Sequence, residues 1–113
     1  MGAKSRRKGA RGEREAAAEI ARLFGVEACR GCQHVGAPFA PDIRTAIARV
    51  HFEVKRTESL RLYRALEQAA RDAGGKIPVV LYRSNHRPWV AIVRLDDLPG
   101  LAVQLYLTLT ENA

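Results

Sequence analysis

The stretch Val50-His51-Phe52-Glu53-Val54-Lys55-Arg56 constrains this chain more than any other. Val50, Phe52 and Val54 recur at every second position, the period of a strand that buries one face. The same alternation sends His51, Glu53 and Lys55 together to the other face. Residues two apart on one strand face start roughly 6 to 7 Å from each other, so Glu53 and Lys55 can act on one small ligand. Charges alternating along a solvated strand face would give the same pattern. A second acid sharpens the reading, because Pro41-Asp42 stands upstream of Glu53 and Ile43 begins what reads as a neighbouring strand of a hairpin. That pairing sets a second carboxylate beside the first, with a lysine in reach.

Two carboxylates offer the hard oxygen ligands that Mg²⁺ favours, and they leave positions for water and a phosphate oxygen. A lysine beside them holds a phosphate or favours deprotonation of an attacking water. Pro41-Asp42 followed by Glu53-Val54-Lys55 resembles the PD-(D/E)xK nuclease signature. With Lys8-Gly9-Ala10-Arg11-Gly12-Glu13-Arg14 ahead of it, the chain most resembles the archaeal-type and phage-encoded Holliday junction resolvases, from about Arg6 to about Val93. The resemblance implies a restriction-endonuclease-like fold and a catalytic set of Glu13, Asp42, Glu53 and Lys55. In the mechanism it implies, Glu13, Asp42, Glu53 and the Val54 carbonyl hold Mg²⁺, with Mn²⁺ able to substitute, and Lys55 helps to position and activate water. The implied partner is branched DNA, the four-way junction in particular. Paired nicks in opposing strands need two sites and the chain carries one set, so a homodimer is expected. No small-molecule cofactor is.

A length of 113 residues suits one domain, and a formal charge of +7 favours a polyanionic partner. Within residues 4–14, Lys4, Arg6, Arg7, Lys8, Arg11 and Arg14 stand against one acid, Glu13. Residues 1–11 read as a basic flexible arm, either a solvated tail or a segment that follows phosphates and adds salt-dependent affinity. Residues 12–113 read as a single nuclease domain. No apolar run reaches the ~18 residues of a membrane span, and no secretory segment follows the basic start. The expected location is the cytoplasm, or the host cytosol for a phage gene, with no membrane partner.

A helix is predicted from about Gly12 to Phe24, ended by Gly25. Glu13 falls within its stripe of Ala16, Ala17, Ile20 and Phe24, whereas Glu15, Glu19 and Arg22 fall opposite. Periodicity thus selects the same glutamate as the resemblance. A first strand is predicted within residues 26–35, followed by a loop through Pro38. Cys29 and Cys32 have a C-x-x-C spacing, but no second pair accompanies them and strand alternation separates them, so reduced thiols with a packing role are expected.

A second helix is predicted from about Leu60 to Ala73, closed by Gly74-Gly75. Arg61, Arg64, Gln68 and Arg71 line one of its faces, either as donors to a DNA backbone or as a solvated row. The resemblance draws Gln68 towards the site. Arg56, Arg64 and Gln68 join the basic residues of the arm as candidate DNA contacts. Residues 77–83 and 89–93 read as two buried strands. Residues 101–109 fit strand alternation and a helical face equally, and this apolar segment and the Trp89 hairpin are the expected dimer surfaces. The fold is therefore expected to be α/β in the order αβββαββ, a mixed sheet flanked by helices. The expected function is a Mg²⁺-dependent endonuclease that resolves four-way junctions. A less selective nuclease acting on flaps or duplex and a DNA-binding module without chemistry are the alternatives, and the intact acids and lysine argue against the last.

Overall fold

The computed structural model describes residues 3–31 and 41–111, with side chains from Gly9 onward. Helix α1 (Ala3–Phe24) leads into strands β1 (Ala28–Arg30), β2 (Ile43–Thr45) and β3 (Val50–Arg56). Helix α2 (Leu62–Asp72) then crosses to β4 (Ile77–Arg83), which turns into β5 (Val90–Ile92). A single 3₁₀ turn (Leu95–Asp97) precedes the closing helix α3 (Leu98–Glu111). The chain is thus mixed α/β, with the expected αβββαββ order followed by one more helix. No described helix is long and apolar enough to cross a membrane.

The sheet is divided, which the sequence pattern does not predict. β1 pairs with β2 antiparallel, while β3, β4 and β5 form a separate mixed sheet in which β3 and β4 run parallel and β5 runs antiparallel to β4. The hairpin partner of β2 is therefore β1 and not β3. What joins the two sheets beside the acids is a backbone bond from the Asp42 N–H to the Phe52 carbonyl, 3.3 Å long. Alternation shows which face of a strand is buried, but it does not choose the neighbouring strand.

A helix lies on each side of the β3–β4 pair. Ala16, Ala17 and Ile20 of α1 pack with Val50, Phe52, Val79 and Leu81 on one side, and Leu101 of α3 closes that cluster. Ala65, Leu66 and Ala69 of α2 pack on Val80 on the other, with Tyr82 and Ile92 at the margin. Glu53 is in register with Val80, so it faces α2. The polar face of β3 is consequently covered: His51 is 3 % exposed and Glu53 7 %. The solvated-face reading of these charges does not hold for those two residues.

Helix α1 begins well before Gly12, so the basic segment assigned to an arm at residues 1–11 is helical from Ala3. Alanine, lysine and arginine are strong helix formers, and isolated glycines lower helix stability by only ~1 kcal/mol each. Gly25, with φ of 65°, ends α1 as expected, its N–H bonded to the Ala21 carbonyl at 2.9 Å. Gly12 marks the closest approach of α1 to β3, since a Cβ there would lie 2.6 Å from the Arg56 Cβ. That approach carries the neighbouring Glu13 to the sheet. Two further expectations are corrected at the periphery. β5 is an exposed edge and not a buried strand, and Cys29 is exposed and not packed. Cys32 lies outside the described residues.

Candidate active site

Asp42 is the hinge of the acidic cluster. Its Oδ2 accepts the Val54 N–H at 2.8 Å, while its carbonyl accepts the Gly31 N–H at 2.8 Å. Gly31 is buried there, and any side chain on it would run into the Pro41 carbonyl. The side chain of Asp42 is thereby oriented by the backbone of the strand that carries Glu53.

The Asp42 and Glu53 carboxyls are hydrogen-bonded to each other. Burial pushes the Asp42 carboxyl from the usual 3.8 up to about 8, and the charges of Glu53 and Glu13 push the same way against the Val54 N–H. Glu53 moves in the opposite direction. Burial alone would raise it, but hydrogen bonds from His51 and Asp42, with the positive charge of Lys55, hold it below the ordinary glutamate value. The pair therefore shares one proton, and Asp42 keeps it. Two carboxyls forced together in this way favour whichever cation occupies the space between them, a proton or a metal ion.

Lys55 follows Glu53 on the same face, and its Nζ donates to Gln68 Oε1 of α2 at 3.0 Å. The glutamine expected near the site is thus fixed to the lysine. Glu13 reaches the cluster from α1, close enough for its charge to act on Asp42. Its Oε1 accepts from Arg30 Nε at 2.6 Å, and the Glu13 side chain is only 15 % exposed. No three His, Cys, Asp or Glu side chains among the described residues converge as a ready cation site. Glu13 is turned to Arg30, and Asp42 and Glu53 form the pair. The oxygen-only donors of that pair, set beside a lysine, still suit a hard ion such as Mg²⁺.

The expected DNA contacts divide by exposure. Arg11, Arg14 and Arg64 are exposed. Lys4, Arg6, Arg7 and Lys8 lie on the backbone of α1, with side chains outside those described. Gln68 is half-buried and engaged with Lys55. Arg56 is not free for a phosphate: it donates to Asn85 Oδ1 at 2.9 Å and to the Arg83 carbonyl at 3.4 Å, with Glu58 at 3.9 Å. Its role is to tie β3 to the loop after β4.

Three partners were not foreseen. Arg30 comes from a strand that the residue pattern does not align with α1. Glu15, expected on the far face of its helix, pairs with Arg83 Nη1 at 2.5 Å. His51 donates from Nε2 to Glu53 Oε1 at 3.2 Å, and its position two residues before Glu53 on one strand face was the signal. No known protein family model matches the chain, and no curated protein or solved structure was found to match it either.

Proposed function

We propose that this chain is a divalent-cation-dependent endonuclease of restriction-endonuclease-like architecture that nicks branched DNA, the four-way junction foremost, as a two-fold dimer. The observation that carries the reading is the contact between Asp42 and Glu53 with Lys55 on the same strand face and Glu13 approaching from α1. Asp42 and Glu53 would hold the ion, together with the Val54 carbonyl, and Glu13 would complete the set by leaving Arg30. A bound Mg²⁺ supplies charge stabilisation at a phosphodiester and lowers the pKa of a bound water. The protein's own part is orientation. Val54 N–H aims Asp42, Gln68 aims Lys55, and the Lys55 ammonium lies where it can hold a phosphate oxygen or an attacking water. The exposed Arg11, Arg14 and Arg64, with the basic first turns of α1, favour contact with a phosphate backbone.

The test is cleavage of a four-way junction, a flap and a linear duplex by wild type and Asp42→Asn, with and without Mg²⁺. Wild type should cut only with the ion, and the junction fastest. Asp42→Asn should lose at least ~100-fold in cleavage while still binding the junction as wild type does, since Asn removes an oxygen ligand for the ion and, with Asp42 already protonated below about pH 8, leaves the charge of the metal-free site unchanged. Equal cutting of all three substrates would point to the less selective nuclease. Wild-type rates in Asp42→Asn would overturn the site.

A further inference from the structure

His51 is a histidine almost without solvent, at 3 % exposure, near the start of β3. Its register neighbour on β4 is Pro78, itself fully buried, and the next residues on that face of β4 are Val80 and Tyr82. No β4 side chain beside Glu53 carries a donor, because its register partner is Val80. The donors to Glu53 are therefore local, Asp42 across the strand gap and His51 below it. The contact runs from His51 Nε2 to Glu53 Oε1 at 3.2 Å, between side chains 3 % and 9 % exposed.

A buried imidazole requires an acceptor, and a buried carboxylate requires donors. Each satisfies the other here, and the geometry has a directional consequence. With Oε1 fixed by an N–H from within the same strand, the plane of the Glu53 carboxylate is set before any ligand arrives. The Nε2–H tautomer and the imidazolium both donate along this line, so the contact does not depend on the charge of the ring. Ligand carboxylates held in this manner bind cations more tightly, and loss of the holding group typically weakens metal affinity by about 10- to 100-fold.

We infer that His51 is a positioning residue for cation binding, its Nε2–H holding Glu53 Oε1 so that the Asp42–Glu53 pair is preset for a divalent ion. The inference rests on the proposed metal-dependent function. His51 touches neither substrate nor ion. Its effect is confined to how well Glu53 is aimed.

The experiment is calorimetric titration of the DNA-free protein with Mn²⁺, paired with the Mg²⁺ dependence of junction cleavage. Three variants separate orientation from filling: His51→Leu keeps bulk without a donor, His51→Asn is polar but too short to reach Glu53, and His51→Gln returns an amide nitrogen near the Nε2 position. His51→Leu and His51→Asn should weaken Mn²⁺ binding by about 10-fold or more and shift the Mg²⁺ midpoint equally. Cleavage at saturating Mg²⁺ should fall by less than the midpoint shifts. His51→Gln should recover affinity to within about 3-fold of wild type, which a purely space-filling role would not produce. If His51→Leu does not fold, the Asn and Gln pair still decides, because the two differ only in reach. Unchanged Mn²⁺ affinity in the folded Leu or Asn variant, or no recovery with Gln, would overturn the inference. Absence of Mn²⁺ binding to wild type would instead overturn the metal-dependent function on which it rests.

Discussion

Asp42 is the residue at which site chemistry and folding stability meet. Its carboxyl titrates at about 8 in the folded chain and near 3.8 when unfolded, so between those values the folded state holds a proton that the unfolded state has lost. Stability attributable to Asp42 therefore falls as pH rises through that window, and the loss is complete above it. Glu53 acts in the opposite sense: with its folded pKa lowered from 4.5, its contribution is present above that value and is lost only on acidification. The metal-free protein should accordingly melt several degrees lower at pH 8 than at pH 6. Asp42→Asn, which cannot ionise, should lack that part of the decline. Differential scanning calorimetry of both proteins across this range measures the difference, and matching pH slopes would contradict the raised carboxyl. The glutamates of α1 separate in the same spirit. Glu13→Gln should cut cleavage by at least ~10-fold, since its charge acts on Asp42. Glu15→Gln should leave cleavage near wild type and lower stability by about 0.2–1 kcal/mol, because the Arg83 pair it loses is partly solvated. Single-turnover rates and chemical denaturation report on the two effects independently.

At the level of elements, the crossing of α1 over β3 is what brings Glu13 to the strand, and Gly12 permits it. In an ordinary helix interior, Gly→Ala stabilises by ~1 kcal/mol. At Gly12 the new Cβ would meet the Arg56 Cβ at 2.6 Å, an unyielding atom close to the backbone. Overpacking of that kind costs about 1–3 kcal/mol, so the sign reverses and Gly12→Ala should destabilise the protein and reduce cleavage by displacing α1. Gly9 is the internal control, because nothing lies within 4 Å of a Cβ there and Gly9→Ala should stabilise. Urea midpoints of the two variants moving in the same direction would refute the close crossing. The same elements show what was legible in the sequence. The bounds of β3 and the Gly25 stop follow directly from alternation and glycine, and helical phase marks Glu13 as facing the sheet. The pairing of β2 with β1, the Arg30–Glu13 contact and the packing of α2 on the sheet face that carries Glu53 all depend on segments distant in sequence. Periodicity is a local quantity, so it does not report which strand or helix closes a face. Residues 101–109 remained balanced between strand and helix for a related reason: α3 is apolar on several sides, and only Leu101 and Thr108 of it are buried.

At the scale of the whole molecule, that apolar helix bears on assembly. Val103, Tyr106 and Leu107 of α3 are spaced to share a face, and they are 55 %, 66 % and 44 % exposed. Leu98 and Leu109 are exposed as well, but helical phase sets them on the side of α3 nearer Leu101 and off this face. Trp89, the other expected interface residue, is partly spent on the protein's own core, where it packs against the α1 side of the sheet. The proposed resolution of a junction requires two matched nicks, and one chain offers a single Asp42–Glu53 pair. A two-fold axis supplies the second site in the opposite orientation, and such dimers are the commonest closed assembly. A stable interface buries roughly 800 Å² per partner, and the outer face of α3 is the apolar surface on which we place it. Sedimentation should therefore give a dimer at micromolar concentration, and Tyr106→Glu should shift it to monomer, since a charge introduced into an apolar interface must be desolvated without a partner. Cleavage then discriminates further. The monomeric variant should still nick a junction, at a rate first order in protein, but should not produce paired nicks within one binding event. Mixed wild-type and Asp42→Asn chains should form heterodimers that nick one strand and stop. Paired nicking by a strictly monomeric Tyr106→Glu protein would defeat the symmetric scheme and leave the site itself intact.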